Sequence, residues 1–246
     1  MRHALPLLLG AALLGGCSSA AVDPSGIWIN QTAIDEANQE GKLRESLLAY
    51  GPNLEWQIDA GAGAASYSNG FEQVEGKLVG QDGNSWRIDF YGDDIHEQLS
   101  LDDEELVQNA SANLPEQRFV RAANTGTYAN APKGSSFEYA LYQTYLGGTW
   151  KIIEGTGQGG LVLFHPDGNL EGLPGANRFA LCLAGDCAAM SGENDSIWLQ
   201  LGDQGSPWIF VHDGNRLEIL EARNRARIDE MPEYTPGNRT WLLERQ

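Results

Sequence analysis

The chain is poor in the residues that most often carry chemistry. It has 3 cysteines, 3 methionines and 4 histidines in 246 residues, and only 16 Lys and Arg against 34 Asp and Glu. The resulting formal charge of −18 repels polyanions, which excludes nucleic acid and anionic head groups as expected partners. A solvated, solubility-giving surface is the plainer meaning of that charge. No apolar run reaches the roughly 20 residues of a membrane-spanning helix. Several catalytic signatures are missing too. There is no Gly-x-Ser-x-Gly elbow. His96-Glu97 begins like a zinc-protease helix, but Ser100 stands where the second histidine belongs. Gly155 to Gly160 fits Gly-x-Gly-x-x-Gly, yet the strand-like Leu161-Val162-Leu163-Phe164 follows it instead of a phosphate-binding helix, so it is expected to be a flexible strand connection. Asp102-Asp103-Glu104-Glu105 lacks the spaced oxygen ligands and glycine of a calcium loop and reads as a solvated turn.

What is present begins at the N-terminus. Arg2 and His3 precede an apolar run, Ala4 to Leu14, which closes on Leu14-Gly15-Gly16-Cys17. A basic start, a short apolar core and small residues before a cut are the parts of a signal peptide. The tail resembles a bacterial lipobox. The resemblance implies lipidation of Cys17, cleavage after Gly16 and acylation of the new amino terminus. A secretory signal with a chance cysteine, or a buried N-terminal helix, are the competing readings. Two or more acyl chains anchor a protein stably where one does not. Ser18 follows the cysteine, which in enteric-type sorting resembles an outer-membrane destination facing the periplasm. Residues 1–16 are then the signal peptide and 17–25 a lipidated tether. Ser18 to Ser25 extend roughly 26 Å at about 3.3 Å per residue, so the body is expected to stay close to its membrane.

The body reads as two similar halves. Gly26-Ile27-Trp28 opens the first and Gln117-Arg118-Phe119-Val120-Arg121 closes it. Gly148-Thr149-Trp150 opens the second, and the strand from Arg239 to Arg245 closes it. The expected domains are 26–122 and 146–246, with a turn-rich linker at 123–145 whose last part, from Phe137 to Leu146, is apolar enough to pack. Asp-Gly-Asn occurs at 82–84, 167–169 and 213–215, each between β-type runs. Asp-Gly favours a hairpin because glycine takes a positive φ freely. Alternating runs joined by such turns predict an antiparallel meander that removes its edges by closing on itself. The fold class is therefore mainly β: two tandem small antiparallel β-barrel-like domains. One helix is predicted in the first, capped by Thr32 with Asp35, striped by Ile34, Ala37, Leu43, Leu47 and Leu48, weakened at Gly41 and stopped by Gly51-Pro52.

A Gly-x-Trp on a first strand with an arginine on the last resembles the calycin, or lipocalin-like, barrels. The resemblance implies an arginine lying over the tryptophan to close one end: Trp28 with Arg118 or Arg121, and Trp150 with Arg239 or Arg245. Physically this is a cation–π contact. The second half also resembles the META/HslJ-like domains of bacterial envelope lipoproteins, through Gly148-Thr149-Trp150-Lys151-Ile152, Phe164-His165-Pro166-Asp167-Gly168 and Gly175-Ala176-Asn177-Arg178-Phe179. The family usually carries a cysteine where Ala176 stands, so its usual cross-link is replaced or absent. That resemblance implies a fold and a location and no catalytic residues.

Cys182 and Cys187 remain. In an oxidising compartment they pair as a disulfide. Alternatively, with Met190, they offer three sulfur ligands to Cu(I). His165 and His212 each stand beside a turn and an aspartate; if the turns met they would form a metal site or an acid–base pair, but a histidine beside a turn is expected to be solvated. The seven tryptophans are expected in the core, with one or two lining a ligand cavity at a barrel mouth. The functional expectation is a membrane-anchored periplasmic lipoprotein in a non-enzymatic binding or envelope-maintenance role. No cofactor is expected. Its partner would be an envelope protein or a small apolar ligand. The alternatives are copper or other metal binding and sensing, inhibition of or immunity to an envelope-targeting enzyme, and an enzyme acting on cell-wall or lipid substrates.

Overall fold

The computed structural model describes residues 22–81, 83–90, 95–112, 114–123 and 132–246. Cys17, the segment 1–16, the first part of the 17–25 tether and Asp82 lie outside the described residues. The first half is a closed antiparallel barrel, and each of its strands pairs with the next in sequence. Its strands are β1 (Gly26–Ile29), β2 (Glu55–Asp59), β3 (Ala64–Ser68), β4 (Gln73–Gly80), β5 (Ser85–Asp89), β6 (His96–Asp102), β7 (Glu105–Gln108) and β8 (Gln117–Arg121). Closure comes from β1 pairing with both β2 and β8. The second half is an antiparallel sheet of β9 (Gly148–Glu154), β10 (Leu161–Phe164), β11 (Leu170–Glu171), β12 (Arg178–Leu181), β13 (Ser196–Leu201), β14 (Gln204–Asp213), β15 (Arg216–Asn224) and β16 (Tyr234–Arg245). Its order is β11-β10-β9-β16-β15-β14-β13-β12, and a bridge between Asn169 and Arg178 brings the two edges together, so it is nearly closed.

The expected helix is two helices, α1 (Gln31–Glu40) and α2 (Leu43–Ala49), inserted between β1 and β2. The break is at Gly41, which caps α1 at φ +69 with its N–H on the Ala37 carbonyl. A left-handed residue ends a helix, and glycine takes that conformation without a Cβ penalty. The N-cap is Asn30, not Thr32: its side chain accepts from the Ala33 N–H at 3.1 Å. Asp35 instead accepts from the Gln31 side chain. The linker contains α3 (Ser135–Leu141), which runs into a π-helical turn over Tyr142–Leu146. A fourth helix, α4 (Gly185–Ala189), lies between β12 and β13. No helix among the described residues is long and apolar enough to cross a membrane.

Each barrel interior is filled by its own side chains. Trp28, Trp56, Trp86, Ile88, Leu99, Leu106 and Phe119 pack the first. Trp150, Phe164, Phe179, Ile197, Phe210, Leu217, Ile219 and Leu243 pack the second. The second core extends past its barrel. It takes in Phe137, Leu141, Tyr142, Tyr145 and Leu146 of the linker, Ala33, Ile34, Ala37, Leu43 and Leu47 of α1 and α2, and Ile29 and Leu54 at the rim of the first barrel. The helices that belong to the first half by sequence therefore bury Ile34, Ala37, Leu43 and Leu47 of their expected apolar stripe against the second, while Leu48, at the far end of α2, stays exposed. Burial of apolar area is non-directional, so the stripe dictates that a face is covered and not by what.

One arginine in each half lies over one tryptophan. The Arg121 guanidinium is 4.1 Å from the Trp28 ring centre and that of Arg245 is 4.6 Å from Trp150. The surrounding bonds repeat as well. Trp28 Nε1 donates to the Pro24 carbonyl and Trp150 Nε1 to that of Leu146, each four residues back. Arg121 donates to the carbonyls of Ser25 and Asp23, and Arg245 to those of Gly147 and Tyr145. Arg118 and Arg239, the other candidates, face outward: Arg118 pairs with Asp102, Glu105 and Glu116, and Arg239 with Glu154 and Glu218.

Arg245 is half-buried and Arg121 exposed, so their removal should differ in cost. Arg245→Ala is expected to lower unfolding stability by about 2 kcal/mol and Arg121→Ala by about 1 kcal/mol, from the lost ring contact and two charge-assisted bonds. Lysine should restore less than half of either loss, because it lacks the two-pronged donor geometry. Urea denaturation of the four variants checks this; equal effects of Lys and Ala at both sites would also fit, whereas full rescue by Lys would contradict it.

Candidate functional site at the barrel junction

The end of the first barrel opposite Trp28 is closed by a polar layer. Gln108 Oε1 accepts from Asn53 Nδ2 at 2.9 Å and Trp56 Nε1 at 3.1 Å, while its amide nitrogen donates to Glu97. Gln117 Nε2 donates to the Asn53 carbonyl at 2.8 Å. Burial pushes the Glu97 carboxyl up from the usual carboxylate range, against the hydrogen bond from Gln108. Beside this layer the buried Glu55 accepts from the N–H groups of Gly134 at 3.0 Å and Phe137 at 2.9 Å, which fastens the start of α3 to β2. A carboxylate there satisfies amides that the helix leaves unpaired.

The second barrel makes the matching bond to α2. Asp195, just before β13, accepts from the N–H groups of Leu43 at 2.9 Å and Arg44 at 2.6 Å. Burial raises the Asp195 carboxyl above its ordinary value, and the two amide donors oppose that rise. Between α1 and α2 the backbone of Gly41 lies against His212 at the end of β14. A Cβ on Gly41 would sit 2.2 Å from the His212 carbonyl oxygen. The Tyr145 hydroxyl donates to the Gly41 carbonyl at 3.1 Å. Burial drives the Tyr145 and Tyr142 hydroxyls far up, so both stay neutral donors or acceptors. Tyr142 accepts from the Leu181 N–H.

The loop from Cys182 to Asp195 completes the junction. Cys182 and Cys187 are joined as a disulfide, with Cα atoms 5.3 Å apart, around the start of α4. Gly185 lies under the ring of Phe71 from the β3–β4 turn, where a Cβ would be 2.2 Å from a ring carbon. Leu183 and Leu54 both crowd Gly70. The carbonyl of Met190 accepts from the Tyr234 N–H at 2.6 Å. With the two sulfurs bonded to each other, the Cys182–Cys187–Met190 set presents no thiolate pair in this form. His165 pairs with Glu171 at 3.0 Å on the surface, whereas His212 is buried. Among the described residues no group of three His, Cys, Asp or Glu is placed to hold a metal ion.

A groove of about 800 Å³ opens between α2, the residues after α4 and the outer face of β14. Its apolar wall is Leu48, Ile209, Val211 and Pro236, and its rim carries Lys42, Arg44, Glu45 and Glu193. Leu48 and Val211 are exposed. That volume is in the range of ligand and peptide sites. His96 and Glu97 lie on β6, a strand, and Gly155 to Gly160 join β9 to β10. Asp103, at φ +54, forms the tight turn between β6 and β7 within the acidic run.

The sequence did not point to Glu55, Asp195, Gly41 or Tyr145 as a set, and it placed His212 in solvent. The only local signals were the glycine between two helical stripes and the acid just before a strand. The bonds they make span more than a hundred residues in three cases, so no window of sequence contains both ends.

Gly41→Ala is expected to lose at least about 2 kcal/mol, since the position combines a left-handed φ with backbone contact. Asp195→Ala leaves two amides unpaired and should cost about 2 kcal/mol. Denaturation midpoints measure both; a neutral Gly41→Ala would show that α1 and α2 do not sit against His212. No family model matches this chain, and neither a curated protein nor a solved structure is found to match it.

Proposed function

We propose that this protein is a lipid-anchored envelope protein, held at the outer membrane through Cys17, that acts without catalysis by binding a protein partner at the groove beside α2. The observation that carries the binding reading is the packing of both barrels. A small apolar ligand needs an open interior, and here three tryptophans and a phenylalanine fill one and five aromatic rings line the core of the other. Recognition then falls to the outer surface, where Leu48, Val211 and Pro236 offer an apolar strip within a charged rim. An apolar centre with a polar rim is the anatomy of a protein–protein contact.

The calycin-like reading of both halves draws support from the repeated Trp–Arg contact and its shared carbonyl bonds. The anchor reading rests on the lipobox-like Leu14-Gly15-Gly16-Cys17. The body begins at β1, a short stretch after Cys17, so a partner would be met near the membrane.

Two measurements test this. Cys17→Ser should move the protein from the membrane to the soluble fraction and abolish metabolic labelling with palmitate. In the anchored protein, Leu48→Glu and Val211→Glu should leave the fold intact and remove envelope crosslinks that the parent protein makes. Unchanged crosslinks in both groove variants would sink the groove as the binding surface, and continued membrane attachment of Cys17→Ser would sink the anchor.

A further inference from the structure

His212 is 5% exposed, and neither ring nitrogen has a hydrogen-bond partner. A buried polar group without a partner is costly, and native structures keep few of them. This one lies where the helices of the first half meet the second barrel. Its ring packs on Tyr145 with centroids 4.6 Å apart and on Trp150 at 5.9 Å. Its carbonyl and Nδ1 face Gly41, between α1 and α2. We propose that His212 is an acid-sensitive catch: when its imidazole takes a proton, α1, Gly41 and α2 are released from the end of the second barrel while both barrels stay folded.

The surroundings of the ring decide the direction. Arg245, over Trp150 on β16, is a fixed positive charge that opposes a second one. Asp213, next along β14, favours protonation and is the weaker influence. The π-helical turn contributes Tyr145, whose hydroxyl is already committed to the Gly41 carbonyl. Glu40 and Lys42, on either side of Gly41, are exposed to solvent. An imidazolium here would be a buried charge with no acceptor. Burial accordingly lowers the His212 pKa from 6.5 to about 4. The sign follows from linkage: the closed state favours neutral His212, so stabilisation of the junction is full above pH 6.5 and is lost as pH falls toward 4. The pKa difference sets an upper limit of about 300-fold on the change in the open-to-closed ratio across that window, since Arg245 stays beside the ring in both states. Asp195 works the other way, because its raised pKa makes protonation favour the closed state. It lies on the same junction, so the net swing is smaller than 300-fold. Gly41 is a natural hinge, and what must part are two amide bonds to Asp195, the Arg44 side-chain bond to the Gly192 carbonyl, one hydroxyl bond from Tyr145 and the apolar face of α1 and α2.

The test is amide hydrogen exchange of the full chain between pH 7 and pH 4.5, corrected for the intrinsic pH dependence of exchange. Protection of residues 31–49 should fall by at least about tenfold, while β15 and the first-barrel strands keep theirs. His212→Phe preserves an aromatic ring and cannot titrate, so its 31–49 segment should show no acid-dependent loss. A titration of His212 in the parent protein by NMR needs no variant and should give a value well below 6. A pKa near 6.5, an equal acid response in His212→Phe, or a uniform loss of protection over the whole chain would each overturn the proposal.

Discussion

The guanidinium of Arg245 over the indole of Trp150 is the contact on which most of this structure rests. It ties the last strand to the first in the second barrel, and its two terminal nitrogens donate to the carbonyls of Gly147 and Tyr145. Those carbonyls belong to the π-helical turn and the residue after it. Fixing that turn sets the Tyr145 hydroxyl on Gly41, and Gly41 sets the directions of α1 and α2. The chain of dependence runs from one cation–π pair to the whole junction. The same contact in the first half, Arg121 over Trp28, holds only the carbonyls of Asp23 and Ser25, and so closes a barrel without organising anything beyond it.

The two halves use charge in a matching way. Glu55 on the first barrel holds the start of the linker helix, and Asp195 on the second holds the start of α2. Each barrel thus contributes an acid, Glu55 buried and Asp195 partly so, to the amides of a helix packed in the shared core. In a chain of net charge −18 most acids face water, and these two are placed where helix ends leave donors unpaired. The disulfide loop adds an apolar contact, Phe71 on Gly185, between the same two bodies.

Part of this was legible and part was not, for reasons particular to each residue. The barrel strands were readable because Asp-Gly turns punctuate alternating runs, but alternation does not say whether the inward residues meet or leave a cavity, and only the folded packing shows both interiors filled. The choice of Arg121 over Arg118 was also available: the two are three apart on one strand, so they face opposite sides, and Arg121 shares a face with the buried Phe119. The choice of Arg245 over Arg239 was not. They are six apart and alternate to the same side, but a register shift near Leu220 turns Arg239 outward to Glu154 and Glu218. The burial of His212 was hidden for another reason. It looks like a turn residue until Gly41, far earlier in the chain, arrives to cover it.

By itself the sequence determined the mainly β class, the two Gly-x-Trp frames, the close spacing of Cys182 and Cys187, the weak point at Gly41 and the short stretch from Cys17 to the first strand. These are local properties, set by side-chain alternation, by glycine's freedom at positive φ and by spacing along the chain. The tertiary structure alone decided that α1 and α2 join the second core, that Glu55 and Asp195 hold helices across the junction, and that His212 loses its water. Burial carries no address, and a hydrogen bond between residues a hundred positions apart exists only after the chain has folded.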